Sequence, residues 1–526
     1  MPVAGPVEAL LGVTLLGALL VFLAPDEYAG KLATAVSLVP VAVALWMYSG
    51  FDGAGNALLG GDLAFESTVD WVELGRYELA YHVGLDGISM PLLLLATVLT
   101  TLALVSSWTP IDERESQFYG LLLLTEAALI GVFVGLDFFV WFVFWEAVLV
   151  PMYFLIAIWG GPRREYAAMK FIIYTNLASL LMFVGVFLLV FALGDTLATL
   201  SLVDISAAIQ NGGLGELGGF DPEVIKVAAF VLLFLGFAVK VPVVPFHTWL
   251  PDAHVEAPSP VSVVLAGVLL KMGTYALLRF NFTMLDDVLT NGWNAEILMF
   301  VGLVSVIYGA MLALAQRDLK RIVAYSSISS MGYVIIGLTA LTAHGVGGAT
   351  FQMVSHGLIS GLMFMAVGVF YNATHTRMVG DMSGLADRMP WTAGIFVAGA
   401  FGYMGLPLMS GFAGEVLVFI GSFHTSLVEG APIFTALAMF GIVIVAGYLL
   451  WAMQRTLFGP FELETDYEIG RAPLQDLASL AVLLGLVIAL GVNPDFIYGA
   501  IQDAVEPLVR AGTGGDALSV LLGGGR

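Results

Sequence analysis

Residues 138–151 read Phe-Phe-Val-Trp-Phe-Val-Phe-Trp-Glu-Ala-Val-Leu-Val-Pro, and residues 237–245 read Phe-Ala-Val-Lys-Val-Pro-Val-Val-Pro. Each stretch is almost wholly apolar and yet holds one ionisable residue, Glu146 in the first and Lys240 in the second. Long apolar runs recur along nearly the whole chain, and a helix of about 20 such residues crosses the hydrocarbon core of a bilayer. The sequence therefore predicts an all-α, polytopic protein of the cell membrane with ionisable groups inside its helices.

The composition supports this class. Of the 526 residues, 59% are hydrophobic and 11% are charged, and the mean hydropathy is +0.94. The segments without a long apolar run, residues 50–87 and 194–221, are too short to build an independent core. Cysteine is absent, so the chain cannot supply thiolate ligands for an iron–sulfur cluster. We expect no cofactor in this chain and any redox centre in a partner subunit.

Apolar runs, separated by Gly, Pro and charged residues, predict about fourteen transmembrane helices. They lie near residues 7–24, 31–50, 88–108, 117–134, 138–160, 167–193, 222–245, 257–280, 295–315, 320–342, 347–371, 393–421, 432–456 and 473–492. A short amphipathic helix is expected to follow them. No basic residue precedes Lys31, so the first run lacks the charged region of a cleavable signal peptide and is expected to be retained.

Basic residues predict the orientation of the helices. Those between an odd-numbered helix and the next even one are Lys31, Arg114, Arg163, Arg164, Arg317, Lys320, Arg321, Arg377, Arg388, Arg455 and Arg471. The positive-inside rule places these loops in the cytoplasm and both termini outside. The opposite loops are nearly free of Lys and Arg, with Arg76 as the main exception.

The net charge of −22 excludes nucleic acid as an expected partner. Most acidic residues fall in loops and tails. This pattern indicates a surface adapted to high salt, as in a halophilic archaeon, although acidic loops of no special role would give the same count.

Two lysines, Lys240 and Lys271, lie within otherwise apolar helices. A lysine near the centre of a membrane helix costs about 2.5–3.5 kcal/mol on insertion scales, so such residues usually face the protein interior and mark ion or proton pathways. The alternative is a lysine that reaches the interface from a misplaced helix end, or one that forms a structural ion pair.

Glu146, Glu415 and His356 are the other candidates. Pro151 removes a backbone donor beside Glu146 and crowds the carbonyl of Ala147, which predicts a kink next to the carboxylate. A neutral structural glutamate is the alternative for Glu146, and a satisfied packing histidine for His356.

Two helices are predicted to be broken. Pro242 and Pro245 interrupt the seventh after Lys240, while Gly405, Pro407, Gly411 and Gly414 loosen the twelfth before Glu415. Interrupted helices in corresponding places of two repeats point to a transport site. Helices 4–8 and 9–13 would then form two inverted five-helix repeats. The predicted segments are residues 1–110 (helices 1–3), 111–281 (first repeat), 282–458 (second repeat) and 459–526 (helix 14 and tail).

At these residues the sequence resembles the antiporter-like membrane subunits of respiratory complex I, most closely the subunit M type. The matching stretches begin at Phe-Trp-Glu146-Ala-Val-Leu-Val-Pro, Ala-Val-Lys240-Val-Pro-Val-Val-Pro-Phe-His247-Thr-Trp-Leu-Pro-Asp252-Ala-His254, Leu-Leu-Lys271-Met-Gly, Asp318-Leu-Lys320-Arg and Ser-His356-Gly-Leu, and extend to Gly-Glu415. One departure is visible, because Ser330 stands where many bacterial relatives have a histidine.

The resemblance implies that Glu146 pairs with Lys240, that Lys271 continues the path, and that His356 leads to Glu415 near the exit. It implies a proton-translocating subunit without redox chemistry of its own, coupled to quinone reduction in partners. Expected partners are L- and N-type antiporter-like subunits and small membrane subunits, with flavin, iron–sulfur clusters and quinone held in partner subunits. At Ser330 the relay must run through water or a hydroxyl.

Two other functions stay open. The same motifs occur in subunits of multi-subunit Na⁺/H⁺ antiporters and in membrane subunits of hydrogenase-type complexes. The sequence does not name the electron donor, the quinone, or the transported ion.

Overall fold

The fold is all-helical apart from two small sheets. The computed structural model describes residues 5–52, 55–465, 467 and 469–513. In its first half the helices are α1 Pro6–Phe22, α2 Asp26–Ser49, α3 Ser89–Ser106, α4 Glu115–Val134, α5 Phe138–Ala147, α6 Leu149–Trp159, α7 Arg164–Leu193, α8 Leu202–Gln210, α9 Pro222–Lys240, α10 Trp249–Glu256, α11 Ser259–Val264 and α12 Leu270–Ala276. They continue with α13 Asp287–Thr290, α14 Asn294–Leu314, α15 Leu319–Thr339, α16 Ala343–Thr374, α17 Leu385–Arg388, α18 Pro390–Tyr403, α19 Ser410–His424, α20 Ala431–Leu457, α21 Leu474–Val492 and α22 Asp495–Thr513.

Twelve helices in the described part of the chain are long and apolar enough to cross a membrane. In this set α5 and α6 form one span, and α11, α12 and two π-helical segments form another, Ser259–Met284. The shorter helix α1 and the broken pair α18–α19 lie where the sequence predicts further crossings. The total of fourteen and the two inverted repeats stay predictions. Residues 514–526 of the predicted tail lie outside the described residues.

Helix breaks occur at the predicted places. Helices α5 and α6 are separated at Val148, because Pro151 has no N–H to donate to the carbonyl of Ala147. Helix α9 ends at Lys240, and Pro242 follows with φ +28°. The predicted twelfth helix is two helices, since α18 ends at Tyr403 and α19 begins only at Ser410. Each break therefore lies beside one of the predicted ionisable residues.

The basic loops that were predicted to be cytoplasmic meet at one end of the molecule. Arg377 Nε donates to Asp318 Oδ2 at 2.5 Å and its Nη1 donates to the carbonyl of Val255 at 2.8 Å. The backbone N–H of Arg163 donates to Glu256 Oε2 at 2.9 Å. Loops from both predicted repeats therefore share this end, which we call the cytoplasmic end.

The opposite, outer end contains structure that the sequence did not predict. Strands β1 (Ala64–Leu74) and β2 (Tyr77–Leu85) form an antiparallel hairpin, and the short helix α8 lies in the segment between α7 and α9. Strands β3 (Met382–Ser383) and β4 (Glu462–Leu463) form the second sheet, near the cytoplasmic end. The hairpin was missed because strand patterning is weak beside strong apolar helical runs.

The outer end contains Lys226 and Arg279 in addition to Arg76, which the sequence indicated as the main exception. Lys226 Nζ lies 2.5 Å from Asp287 Oδ2, and Arg279 Nη2 lies 2.5 Å from Asp86 Oδ1. Each cation has an acidic partner at hand. Paired cations contribute little net charge to the end that holds them, so the charge asymmetry between the two ends persists.

Candidate proton-transfer site

Lys240 occupies the last position of α9, and its side chain is buried where the helix breaks. Its residue exposure is 1%, and Nζ lies 4.6 Å from the centre of the Trp145 ring, in cation–π geometry. Trp145 is held in turn by its indole N–H, which donates to Ser179 Oγ at 3.0 Å. Nζ has no hydrogen-bond partner among the described residues. The Nζ group thus packs against an aromatic face without a hydrogen bond to the described residues.

Glu146 lies next to Trp145 and acts on Lys240 electrostatically, without a direct hydrogen bond between them. Its Oε1 is buried and has no protein partner, while the residue as a whole is partly exposed. The pair that the resemblance implies is therefore in electrostatic range and not in contact. Because no hydrogen bond joins the two groups, the distance between the Glu146 carboxylate and Lys240 Nζ can change.

Lys271 and His356 are in direct contact. Lys271 Nζ lies 2.6 Å from His356 Nδ1 and donates to the carbonyl of Ala266 at 2.7 Å. Both residues are buried. The Ala266 carbonyl belongs to a π-helical segment, Leu265–Leu269, and such segments are frequent at functional sites.

Glycines allow the helices that carry these side chains to approach closely. A Cβ on Gly357 would lie 2.7 Å from the carbonyl of Gly267, beside the Lys271–His356 contact. A Cβ on Gly273 would lie 3.1 Å from the Cβ of Lys240. Small residues are the usual means of close helix packing in membranes. They bring the Lys240, Lys271 and His356 helices together here.

Glu415 is buried in α19, with an exposure of 4%. Gly405, in the break before α19, has φ +62°, and a Cβ there would lie 2.3 Å from Glu415 Oε2. Glycine is therefore required at position 405 for two reasons. Its φ is positive, and a Cβ would collide with the Glu415 carboxylate. The hydroxyls of Tyr333 and Tyr448 are the ionisable groups in electrostatic contact with Glu415.

The helices thus place three features in the protein interior. They are Lys240 against the Trp145 ring, the Lys271–His356 contact and the buried Glu415 carboxylate. Residues 135–443 match the family described as NADH:quinone oxidoreductase/Mrp antiporter, transmembrane. The chain belongs to this family. The matched region contains all five candidate residues.

Individual members of the family cover nearly the whole chain. The F(420)H(2) dehydrogenase subunit M of Methanosarcina mazei is 40% identical over 481 residues, which are 91% of this chain and 92% of that protein. NADH-quinone oxidoreductase subunit M of Rhodobacter capsulatus is 38% identical over 493 residues, 93% and 91% of the two chains. The structure is similar to a chain of respiratory complex I from Thermus thermophilus, with a TM-score of 0.84, 25% identity, and coverage of 96% and 99%.

This family member also has a polar cavity at its cytoplasmic end. The cavity has a volume of about 410 Å³, and its polar lining includes Glu256, Lys320, His375 and Arg377. Lys320 Nζ donates to the carbonyl of Ala257. The wall thus carries one acidic residue, Glu256, and the basic residues Lys320, His375 and Arg377.

His254 interacts with one residue that lines this cavity, Lys320, and with the interior residue Lys271. The residue is fully buried, neither ring nitrogen has a hydrogen-bond partner in the described structure, and the ring stacks on Phe364 at 4.5 Å. It is in electrostatic contact with both Lys320 and Lys271. The sequence motif contained His254, but nothing in its spacing marked it as a group between two lysines.

Glu126 and Asp86 are two of the buried acids that were not among the predicted site residues. Glu126 in α4 is completely buried, and neither carboxylate oxygen has a hydrogen-bond partner among the described residues. Asp86, before α3, is completely buried beside Arg279. The signal for Glu126 was present, since it stands within Leu-Leu-Leu-Leu-Thr-Glu-Ala-Ala-Leu-Ile. Asp86 could not be recognised, because it lies at a helix start where an acid is ordinary.

Proposed function

We propose that this chain is the M-type proton-translocating membrane subunit of a complex I-like quinone oxidoreductase. Protons pass along a relay of Glu146, Lys240, Lys271, His356 and Glu415, of which all but the partly exposed Glu146 are buried. The single observation that carries the proposal is the hydrogen bond between Lys271 and His356, which joins the two halves of the chain deep in the protein interior.

The path begins at the cytoplasmic cavity and crosses His254 to reach Lys271. Each side chain on this path can take up and release a proton. Burying such a group in a membrane interior is energetically unfavourable, which indicates a functional role. Lysine suits this work because burial readily shifts its proton affinity, whereas arginine stays charged. From Lys271 the proton passes to His356 and on towards Glu415.

Glu146 and Lys240 supply the control of this path. When the Glu146 carboxylate approaches Lys240, the ammonium form is stabilised, and when it moves away the lysine gives its proton towards Lys271 in the low-dielectric interior. The absence of a direct bond between the two groups supports this account. A locked salt bridge would hold the charge in place.

A neighbouring membrane subunit is the partner that this arrangement requires. Glu146 is partly exposed on the side of α5–α6 that also exposes Val143 and Val150, with exposed fractions of 48% and 54%. A carboxylate facing lipid is expensive, whereas one facing a polar group of another subunit is not. Partners of the L and N antiporter-like types and small membrane subunits fit this place.

Redox chemistry belongs to other subunits in this proposal. The chain contains no cysteine, so flavin, iron–sulfur clusters and quinone are assigned to partners. The electron donor is a nicotinamide or a deazaflavin, as the names of the bacterial and archaeal relatives suggest.

Purification of the native complex tests the proposal. Mass spectrometry of the co-purified subunits should find quinone-oxidoreductase subunits with iron–sulfur motifs. The interior of inverted vesicles should acidify when an electron donor and a quinone are added. A Na⁺-dependent pH gradient without any donor, together with antiporter subunits only, would instead identify a Na⁺/H⁺ antiporter. Hydrogenase subunits would identify the third candidate.

A further inference from the structure

Hydroxyl groups of tyrosines and serines lie near both His356 and Glu415. His356 uses Nδ1 for Lys271, and its Nε2 is buried without a hydrogen-bond partner in the described structure. The Tyr403 ring lies next to it, with ring centres 5.8 Å apart and planes at 68°. Tyr403 is the last residue of α18, so the helix break itself sets the position of this ring.

The Tyr403 hydroxyl faces a cluster of serines. Ser326, Ser327 and Ser360 interact electrostatically with this hydroxyl, although it has no direct hydrogen-bond partner among the described residues. Each of these serines donates its own proton to a carbonyl in its helix, at 2.7, 3.2 and 3.2 Å. The lone pairs of the serine oxygens are therefore available to accept a hydrogen bond from the Tyr403 hydroxyl.

The cluster continues to Glu415. Tyr448 Oη is buried, has no direct hydrogen-bond partner among the described residues, and faces Ser326 and Tyr403. Tyr448 is also in electrostatic contact with Glu415. The series His356, Tyr403, the serines, Tyr448 and Glu415 thus consists of side chains in ring contact or electrostatic contact with the next member.

We propose that Tyr403 and the Ser326–Ser327–Ser360 hydroxyls carry protons from His356 to Glu415, in place of the histidine that Ser330 replaces. Ser330 is three and four positions beyond Ser327 and Ser326, on the same face of α15. In the transfer, Lys271 gives a proton to His356 Nδ1 as His356 Nε2–H gives its proton to the phenol oxygen. The phenol O–H proton leaves to a serine oxygen, the proton of that serine leaves towards Tyr448, and the Glu415 carboxylate takes up the last proton. Tyr403 is neutral before and after the step.

This inference rests on the proposed function, and the test separates the two. Donor-driven proton uptake is measured in inverted vesicles, together with donor oxidation, so that protons moved per electron are obtained for each variant. Absence of donor-driven uptake in the wild-type complex would refute the proposed function itself. The Tyr403 proposal concerns only differences between variants and wild type.

Tyr403→Phe removes one oxygen atom and keeps the ring. We expect fewer protons per electron, with normal amounts of assembled complex and a larger solvent deuterium isotope effect on the residual pumping. Adding Ser330→His to Tyr403→Phe should restore pumping, because an imidazole then stands on the same face of α15. Tyr119→Phe, at an equally buried tyrosine of α4, is the matched control and should pump like wild type.

A structural role predicts a different result. Tyr403→Phe would then reduce assembly or electron transfer while protons per electron and the isotope effect stay at wild-type values. Ser327→Ala gives a second measurement that does not depend on the ring, and it should lower protons per electron in the same direction. Wild-type stoichiometry in both Tyr403→Phe and Ser327→Ala would overturn the proposal.

Discussion

Lys271 Nζ and His356 Nδ1 lie 2.6 Å apart, although the residues are separated by 85 positions in the chain. Lys271 belongs to the predicted first repeat and His356 to the second. A lysine ammonium donates to Nδ1 when that nitrogen carries no proton, and a protonated Nδ1 donates to the lysine when Nζ is neutral. The contact therefore allows one proton to pass between the two side chains and leaves Nε2 for a further transfer.

Lys240→Arg should abolish most pumping while the complex assembles. Arginine keeps the positive charge over Trp145 but almost never releases a proton, so we expect a loss on the order of 10²-fold in proton transfer. Donor-driven uptake in inverted vesicles measures it, with the exposed Lys31→Arg as control. Near-normal pumping by Lys240→Arg would show that Lys240 is part of a structural ion pair.

Glu126→Gln tests the buried carboxylate that the sequence reasoning overlooked. Because both oxygens lack hydrogen-bond partners in the described structure, a glutamine of the same shape should not disturb folding. If Glu126 exchanges protons with the path, uptake should fall while donor oxidation continues. The control is Glu113→Gln, whose side chain is exposed, and equal activity of the two variants would assign Glu126 to packing.

Asp86→Asn should destabilise the folded chain by about 3–5 kcal/mol, since it leaves the buried Arg279 charge without its partner. Thermal unfolding of the purified complex measures this, with the exposed Asp62→Asn as control. If Asp86→Asn unfolds at the wild-type temperature, the buried pair contributes nothing.

The same pair predicts a pH dependence. Burial alone would raise the pKa of Asp86, but the Arg279 guanidinium and hydrogen bonds from Arg279, Ala57 and Ser89 outweigh it and hold the pKa below its usual value. A lowered pKa in the folded state means that this stabilisation is present at neutral pH and is lost as the pH falls through the folded-state value. Asp86→Asn should therefore lose part of the acid sensitivity of the wild type.

The orientation in the membrane can be measured directly, because the chain has no cysteine to remove. Single cysteines in place of Arg164 and Trp293, both exposed, should react with a membrane-impermeant thiol reagent from opposite sides. We expect Arg164→Cys to be labelled from the cytoplasm and Trp293→Cys from outside. The reverse pattern at both positions would show that the predicted topology is inverted.

Much of the architecture followed from the sequence by itself. Apolar runs located the membrane helices to within a few residues, because the bilayer allows few ways to satisfy backbone polar groups. Prolines and glycines located the breaks at Val148, after Lys240 and before Glu415, because their effect on a helix is local. The cost of burying charge singled out Glu146, Lys240 and Lys271, and the high-salt environment that the net charge indicates stays a prediction.

Only the tertiary structure decided which of these groups meet. Lys271 contacts His356, whereas Glu146 approaches Lys240 without a bond, and no spacing in the chain distinguishes the two cases. His254, Tyr403 and the serines became candidates only because the packing of the helices places them near residues of the proposed path. Contacts between helices depend on small residues such as Gly267 and Gly357, whose close approach is a property of two distant segments together. The local sequence fixes where a helix runs and what it carries, while the packing of helices determines which side chains can exchange a proton.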